Sequence, residues 1–397
     1  MRAQGPLSGI RILEFAGIGP GPFAGMLLAD LGADVILIER PARGGDPLDL
    51  GKNNILNRGK RSICLDLKNP RAVDLALRLA DGSDALIEGM RPGVMERLGL
   101  GPEVVLSRQP KLVYGRMTGW GQSGPLAQRA GHDINYIGRS GALWYSGQAG
   151  EAPLAPPTLV GDLGGGALYL ALGLVAGILH ARNSGAGQVV DAAIVDGSAS
   201  LMNLLLSLRA AGSMPAERGA GLLDGPFWYG SYRCADGKFV TVGAIEPQFN
   251  AELLKRLGAA EDEAFARPHD PETWPRGRQR MAGIFAASSR DHWCKVFEGS
   301  DACFAPVLDP GEVMSDPHLA ARGTYFEADG LLQAAPAPRF PAFPAAPASA
   351  IPERGADWRD VLADCGVPPM TDEAAETAGI VICQRRNIDV APRGSFG

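Results

Sequence analysis

The sequence predicts an α/β fold, with a doubly wound parallel sheet first and a smaller α+β region after it. Apolar runs alternate with helical segments over the first ~120 residues, as in parallel strands that are buried on both faces. Later the pattern changes to a hairpin signal followed by helices. At 397 residues the chain is also longer than one core usually supports, which favours two domains.

The first strand–helix–strand unit takes about 30 residues. Its strands are predicted at Ile10–Phe15 and Val35–Glu39, both short apolar runs. A Gly/Pro loop at Ala16–Pro22 leads into a helical segment, Phe23–Leu31, which Gly32 ends. This is the βαβ unit of a doubly wound sheet.

The same alternation continues along the chain. We predict a strand at Ser62–Leu67, a helix at Arg71–Leu79, and further strands at Ala85–Glu88 and Leu112–Met117. The stretch Leu163–Ala181 has 19 residues without Asp, Glu, Lys or Arg, which is nearly long enough to span a bilayer. It holds five glycines and lies mid-chain without a second such segment, so a buried core helix is the favoured interpretation.

The second half of the chain has a different character. A mixed helix at Asp196–Leu208 precedes paired strands at Tyr229–Cys234 and Phe239–Ala244, which an Ala-Asp-Gly-Lys turn connects. Helices are predicted at Gln248–Leu257, Gln279–Ala287 and Asp291–Glu298, a proline-rich strap at Ala335–Pro352, and a last helix at Ala356–Cys365. The predicted domains are residues 1–200, a linker at 201–222, a small domain at 223–322, and a segment at 323–397 that returns to the large domain.

Composition and charge restrict the function classes. The net charge of −6 and the pI near 5.5 argue against nucleic acid as the principal partner. The six cysteines show no C-x-x-C spacing and no zinc-ligand pairing with histidine, so no metal is expected. The first residues show no signal-peptide core, and we expect reduced thiols in the cytoplasm.

The glycine-rich loop from Gly17 to Gly25 is similar to a dinucleotide-binding fingerprint, and Glu39 ends the next strand. The spacing of its glycines fits only in part. Pro20 and Pro22 also remove backbone donors that a phosphate would need. A structural turn is therefore favoured over a nicotinamide site.

Cationic side chains gather near the predicted strand ends. They are Arg40, Arg58, Lys60, Arg61, Lys68, Arg91 and Arg97. Each alone is typical of a solvated surface, but in an acidic protein the set could form a phosphate-binding rim.

His132 and Asp162 are the candidate acid–base pair. His132 lies in the run Gly131–Tyr136 (GHDINY), and Asp162 follows 30 residues later at the start of the apolar helix. An imidazole and a carboxyl group are suited to move a proton to and from opposite faces of one carbon. The structural alternatives stay open: a histidine without a catalytic role, a helix N-cap for Asp162, and a helix start for Glu246 before Pro247.

Five motifs give the chain a resemblance to the family III CoA-transferase (CaiB/BaiF) superfamily, and within it to the 2-methylacyl-CoA racemases. They are GHDINY, TGWGQSGPL at Thr118–Leu126, RGKRSICLDLK at Arg58–Lys68, RPGVMERLGLGP at Arg91–Pro102 and VGAIEPQF at Val242–Phe249. The resemblance runs from about Leu7 to about Arg322. It implies a large Rossmann-like domain, a smaller domain, and two chains interlocked as rings with the site at their interface.

The resemblance also implies residue roles. His132 and Asp162 match the catalytic histidine and aspartate of the racemases, and Glu246 matches the glutamate that orients the histidine, on its own chain or on the partner. The implied coenzyme A contacts are Arg40, Leu65, Asp66, Leu67, Lys68, Gly89, Met90, Arg91, Arg97, Gly131, Asp133, Ile134, Asn135 and Tyr136.

The expected activity is racemisation of (2R)- and (2S)-2-methylacyl-CoA thioesters by 1,1-proton transfer through an enolate. Asp162 must then be held protonated part of the time by burial, and backbone amides near Asp162-Leu163-Gly164 are the expected enolate donors. No cofactor is expected beyond the coenzyme A of the substrate, and neither a nucleic acid nor a membrane partner.

Two other functions stay open. A CoA-transferase would use Asp162 to form an acyl anhydride, but the transferases typically have an aromatic residue in place of His132 and Gln-Ala in place of Ile137-Gly138. A non-catalytic acyl-CoA-binding protein would bind the ester without exchanging its α-proton.

Overall fold

The computed structural model describes residues 4–42, 49–343 and 350–382 of the chain. The described chain divides into two compact units. Unit 1 holds the described residues up to Tyr136, then Gly161–Gly197, and those from Ala328 onward. Unit 2 holds Ile137–Val160 and Ser198–Glu327. The domain boundaries given above stay a prediction.

Unit 1 is built on a six-stranded parallel sheet of order β3-β2-β1-β4-β5-β6. Its strands are β1 Arg11–Phe15, β2 Asp34–Glu39, β3 Arg61–Cys64, β4 Ala85–Glu88, β5 Val113–Thr118 and β6 Gln188–Ala193. Ile12 in β1 lies opposite Val35 on one side and Ala85 on the other. The strand order reverses between β1 and β4, so the doubly wound parallel sheet predicted from the sequence is confirmed.

The helices follow in chain order. They are α1 Pro20–Asp30, α2 Pro70–Asp81, α3 Val94–Arg97, α4 Pro102–Arg108, α5 Asp133–Ser140, a π-helical segment Leu159–Ala167 continued by α6 Leu168–Ser184, α7 Ile194–Leu201, α8 Asn203–Ala210, α9 Pro247–Arg256, α10 Trp274–Phe285, α11 Arg290–Phe297, α12 Pro317–Arg322, α13 Trp358–Asp364 and α14 Asp372–Thr377. Single 3₁₀ turns lie at Gly51–Asn53, Ile55–Asn57, Glu263–Phe265, Pro271–Thr273 and Val313–Ser315.

Each face of the sheet carries its own apolar core. Leu13 and Ile36 face α2 and helix α13, whose Trp358 is buried with them. Ile12 and Val35, one position earlier on the same strands, face α1 and α6. Because successive side chains of a strand point to opposite faces, the two cores come from alternate residues of the same runs.

The apolar helix lies on the sheet. Leu159–Ser184 is long and apolar enough to cross a membrane, by length and composition alone. Its buried face includes Leu170 and Leu174, which pack in the core beside β5. A Cβ on Gly173 or Gly177 would lie 2.7 Å from a valine methyl of the sheet, so these glycines let the helix approach closely. On the face that carries Leu170 and Leu174, the helix is therefore buried, as predicted for a core helix.

Two local expectations were wrong, and one strand was missed. Helix α1 begins at Pro20 rather than Phe23, because proline is tolerated in a first turn. The predicted mixed helix is two helices, α7 and α8. Strand β6 was not predicted, because it is a partly exposed edge strand that carries Gln188 and Asp191 instead of an apolar run.

Unit 2 contains a three-stranded antiparallel sheet of order β7-β8-β9. Its strands are β7 Tyr229–Arg233, β8 Phe239–Gly243 and β9 Phe304–Val307. The predicted hairpin is confirmed, and Gly237 in its turn has a φ of 81°. The core of this unit is aromatic, with Phe227, Trp228 and Phe285 fully buried. Two more short strands, β10 Tyr325–Ala328 and β11 Leu331–Ala334, follow where the chain leaves unit 2.

The end of the chain is described only in part. Residues 344–349 of the predicted proline-rich strap, and the tail at 383–397, lie outside the described residues.

Candidate active site

A cleft of about 820 Å³ lies at the carboxyl ends of β1, β2 and β4. Doubly wound sheets bind ligands at this edge, where the strand order reverses. Gly17 and Ile18 from the loop after β1, and Gly89 and Met90 from the loop after β4, line it. Its size is in the usual range for a small-molecule site.

The acidic residue at the end of β2 is occupied by protein partners. Glu39 Oε2 accepts a hydrogen bond from Ser62 Oγ at 2.5 Å, and Glu39 Oε1 accepts one from Arg354 Nε at 3.2 Å. Arg354 also donates to both carboxyl oxygens of Asp49 at 2.9 Å. Glu39 therefore does not offer a free carboxylate to a ribose, and the glycine-rich loop before α1 fits a structural turn.

Helix α5 begins directly after the predicted histidine. The Asn135 side chain accepts from the His132 N–H at 3.0 Å, while the His132 carbonyl accepts from the Asn135 N–H at 2.8 Å. The pair closes the first helical turn, and the Asn135 side chain accepts from the His132 amide as the third helical residue does in a capping box. The His132 side chain is exposed, and its imidazole makes no hydrogen bond within the described residues.

Tyr136 fixes the residue before the histidine. Its hydroxyl donates to the Gly131 carbonyl, and its ring packs edge-on against Trp120 with centroids 4.7 Å apart. A Cβ on Gly119 would collide with this ring, and one on Gly131 would lie 2.7 Å from it. Because Gly119 and Gly131 have no side chains, they leave the space in which the Tyr136 ring packs.

Asp162 lies inside the π-helical segment rather than at a helix N-cap, so the N-cap alternative is wrong. Its backbone N–H donates to Asp133 Oδ1 at 2.7 Å. Its carboxyl group approaches the loop after β1, where a Cβ on Gly19 would lie 3.3 Å from Oδ2. No hydrogen bond to that carboxyl group is made by the described residues. Local π-helical turns are frequent at functional sites.

Burial raises the pKa of Asp162 to about 6, and the charge of Asp133 adds to the shift while His132 opposes it. Burial also raises the pKa of Tyr136, with Asp162 contributing in the same direction and Arg91 against it. His132, Asp133 and Tyr136 are therefore within electrostatic reach of Asp162, and Arg91 is within reach of Tyr136. A carboxyl group with a pKa near 6 can both hold and release a proton near neutral pH.

The residues predicted to contact coenzyme A follow the same sheet edge. Arg40, Gly89 and Met90 line the cleft. Leu65–Lys68 follow β3, where Leu65 is buried and Asp66 accepts from the Lys68 N–H at 3.1 Å. Arg91 precedes the short helix α3 and Arg97 is its last residue, and Gly131–Tyr136 lead into the first turn of α5. Their contacts with the coenzyme stay a prediction.

Glu246 belongs to unit 2, at the N-cap of α9. Its carbonyl accepts from the Asn250 N–H at 3.0 Å, and its side chain makes no capping hydrogen bond. The backbone therefore has the helix-start role, while the carboxylate's role toward His132 stays a prediction.

The contacts that support the loop after β4 were not predicted from the sequence. Glu88 is fully buried, accepts from the Met90 N–H at 2.7 Å, and pairs with Arg116 Nε at 2.8 Å. Arg116 also donates to Glu96 Oε1 at 2.8 Å. The sequence signal that could have indicated these contacts is a charged residue inside an apolar strand or at its end, since such residues are rarely buried without a partner. In the described ranges no group of three His, Cys, Asp or Glu side chains is arranged to hold a metal ion.

Comparison with known proteins adds independent findings. The profile of CoA-transferase family III matches residues 7–358. The chain is 43% identical to alpha-methylacyl-CoA racemase of Mus musculus over 346 residues, which is 86% of this chain and 88% of the mouse protein. It is 32% identical to succinate–glutarate CoA-transferase of Agrobacterium fabrum over 343 residues, 80% of this chain and 84% of that one. The crystal structure of a CaiB/BaiF family protein from Brucella suis superposes with a TM-score of 0.77 at 25% identity, covering 91% of this chain and all of the other.

Proposed function

The chain belongs to CoA-transferase family III, and from that premise we propose that it is an isomerase that interconverts (2R)- and (2S)-2-methylacyl-CoA thioesters. The relative named as a racemase is 43% identical to the chain, against 32% for the transferase named above. The observation that carries the proposal concerns the carboxyl group of Asp162. Burial raises its pKa to about 6, and the His132 imidazole is close enough to influence that pKa.

The proposed reaction moves one proton off the α-carbon and one proton onto its opposite face. His132 accepts the α-proton of one enantiomer while protonated Asp162 donates to the other face, and the reverse reaction exchanges these roles. With a pKa of about 6, roughly one Asp162 in ten carries the proton at pH 7. The oxidation state of the substrate does not change, so this chemistry needs no redox cofactor.

The enolate oxygen needs donors, because acid–base catalysis alone supplies about 10²–10⁴-fold. The donors expected from the sequence included the Asp162 amide, which instead donates to Asp133. The amides of Asp133 and Ile134, in the first turn of α5, have no hydrogen-bond partner among the described residues. Free amides at a helix N-terminus favour a developing negative charge, so we place the enolate donors there.

We place the nucleotide end of the coenzyme in the cleft, with its phosphates toward Arg40. The loop Ala16–Gly19 supports this placement, since its Gly17 lines the cleft while its Gly19 lies against Asp162. A coenzyme A ester bound along this loop would bring its acyl end toward the acid–base pair.

Replacing Arg40 by alanine should raise KM for the ester about tenfold with little change in kcat, because a phosphate contact binds substrate and transition state alike. Initial rates over a range of ester concentrations measure this. Arg78→Ala, which breaks an exposed ion pair on α2, is the control and should leave KM unaltered. An unchanged KM for Arg40→Ala would remove it from the binding rim.

We further propose that the working form is an interlocked homodimer in the cytoplasm with a role in lipid metabolism. Exposed leucines on α6 and α8 support an interface: Leu172 and Leu204 are each 66% exposed, and Leu179 is 62% exposed. Apolar surface of this kind is typical of surfaces that a partner covers. Sedimentation of the full chain tests this, and a monomer at micromolar concentration would contradict it.

The central test follows each enantiomer of a 2-methylacyl-CoA by proton NMR in D₂O. The wild-type chain should exchange the α-proton of both enantiomers and invert each one. His132→Ala should suppress exchange from one enantiomer far more than from the other, since each face has its own base. Equal and mild losses for both enantiomers would contradict the two-base assignment.

The transferase alternative is supported by the 32% identical relative and by Asp162, which both chemistries use. It predicts that adding a free carboxylic acid to an acyl-CoA yields a new thioester through an anhydride on Asp162. Transfer without α-proton exchange would establish it in place of the isomerase. Ester binding with neither reaction would indicate a non-catalytic acyl-CoA-binding protein.

A further inference from the structure

We propose that Asp133 is a positioning residue whose carboxylate ties the first turn of α5 to the π-helical turn that carries Asp162. The inference rests on the function proposed above. It gives Asp133 a role within the protein, where the family resemblance implied a contact with coenzyme A.

The burial pattern of the motif favours this role. Asp133 is only 8% exposed, whereas Ile134 beside it is 55% exposed and His132 is also exposed. The Asp133 side chain therefore points into unit 1 while its neighbours face outward. Its Oδ1 accepts from the Asp162 N–H at 2.7 Å, across 29 residues of sequence. A buried carboxylate needs such a partner to offset the cost of leaving water.

The turn that Asp133 holds is itself fixed on both sides. Asn135 closes it through the reciprocal bonds with His132, and the Tyr136 hydroxyl anchors the Gly131 carbonyl. Since His132 sits at the edge of this turn, the Asp133 bond sets the distance between the turn of the proposed base and the turn of the proposed acid. Misplacing a catalytic group by about 1 Å can cost about 10²-fold in rate, so loss of this contact should lower kcat.

The charge of Asp133 also bears on Asp162. The titratable groups that interact with Asp162 are His132 and Asp133 on or beside α5 and the Tyr136 hydroxyl, and Tyr136 in turn interacts with Arg91. Within this set Asp133 is the other carboxylate, and it raises the pKa of Asp162. Asparagine at this position keeps an oxygen acceptor for the Asp162 N–H but removes the negative charge. Alanine removes both.

The test compares Asp133→Asn and Asp133→Ala in the full chain, by α-proton exchange from each enantiomer in D₂O across pH. Asp133→Ala should lose about 10–100-fold in kcat with KM within about threefold of wild type. Asp133→Asn should retain most of kcat, and its pH midpoint for exchange with Asp162 as base should move to lower pH, because a neighbouring negative charge is gone.

Asp316→Asn is the matched control. Asp316 accepts the Leu319 N–H at 2.8 Å at the start of α12 in unit 2, so the same substitution removes a charge from the same kind of bond. It should leave kcat and the pH midpoint unaltered.

The result that overturns the proposal is a rise in KM with unchanged kcat in both Asp133 variants, which would indicate a coenzyme contact instead. A kcat for Asp133→Ala within twofold of wild type, with an unshifted pH midpoint for Asp133→Asn, would overturn it as well. Titration of ¹³C-labelled aspartate reads the pKa of Asp162 in wild type and in Asp133→Asn without turnover. It therefore tests the coupling even if the wild-type chain exchanges no α-proton, a result that would count against the proposed function alone.

Discussion

Two carboxyl groups in unit 1, Glu14 on β1 and Asp162 on the π-helical turn, are withdrawn from water in different ways. Burial raises the pKa of both. Glu14 is fully buried and pairs with the equally buried Lys60, with 2.7 Å between nitrogen and oxygen. Asp162 is half-buried, and its carboxyl group has no hydrogen-bond partner in the described parts of the chain. Burial alone therefore does not make a carboxyl group available for catalysis. Glu14 is paired with Lys60, whereas Asp162 has no such partner among the described residues and can exchange its proton.

The same helix makes room for both groups. A Cβ on Gly25 of α1 would collide with the Glu14 carboxylate, and Gly19 just before α1 leaves space for Asp162. Lys60 also donates to the Pro22 carbonyl at 3.0 Å, so the ion pair is bound into the first turn of that helix. One carboxylate thus holds the helix in place, while the other lies beside its start with its proton free to exchange.

The largest expected effect is a difference in α-proton exchange between variants of Asp162 and of Glu14. Asp162→Asn should reduce α-proton exchange about 10²–10⁴-fold, because an amide cannot accept or donate the transferred proton. Glu14→Gln should leave kcat within a few-fold of wild type in its folded fraction. Single-turnover exchange in D₂O measures both. A large loss in kcat for a folded Glu14→Gln chain would break the distinction.

The next effect concerns stability. Lys60→Met should lower the free energy of unfolding by about 3–5 kcal/mol, because it leaves the Glu14 carboxyl group buried without its cation. Urea denaturation measures the loss. The double variant Lys60→Met/Glu14→Gln should be more stable than Lys60→Met, since no buried charge is left. If the double variant loses the sum of the two single losses, the pair is not coupled.

The smallest effect is the pH dependence of stability at Asp162. Its pKa is raised from 3.8 to about 6 in the folded chain, so the folded state loses stability relative to a neutral side chain as pH rises through 6. Asp162→Asn should therefore be more stable than wild type at pH 8, by about 1 kcal/mol after allowance for solvent screening at a half-exposed group. The gain should vanish below pH 4.

Thermal unfolding of Asp162→Asn and wild type at pH 4, 6 and 8 checks this. Asp74→Asn on the exposed face of α2 is the control and should show no such gain. A gain at pH 8 equal to that at pH 4 would mean that ionisation of Asp162 is not its cause.

The parallel sheet could be predicted from sequence because its central strands are continuous apolar runs, as Val35–Ile38 in β2 illustrates. Edge strand β6 could not be predicted, because half of its residues face solvent. Its sequence also shows no alternation of apolar and polar residues that would distinguish it from a loop. His132 and Asp162 were found through motifs, whose local spacing is visible in the chain.

The contacts that organise the site could not be predicted in the same way. The Asp133–Asp162 bond spans 29 residues and the Glu14–Lys60 pair spans 46, so only folding brings the partners together. The π-helical turn was also missed, because its glycines at 164–166 read as a helix start rather than as part of a continuous helix. Long-range polar pairing and local helix variants depend on tertiary packing, which overrides local propensity.

Helix α6 turns its two interior glycines toward valines of the sheet, and its N-terminal continuation bears the proposed acid. A single added methyl at Gly177 would collide with Val113, push the middle of the helix away from the sheet and tilt its axis. The tilt would displace the turn of Asp162 at the N-terminal end of the same helix. Selection on the chemistry would therefore extend to glycines that never touch a substrate.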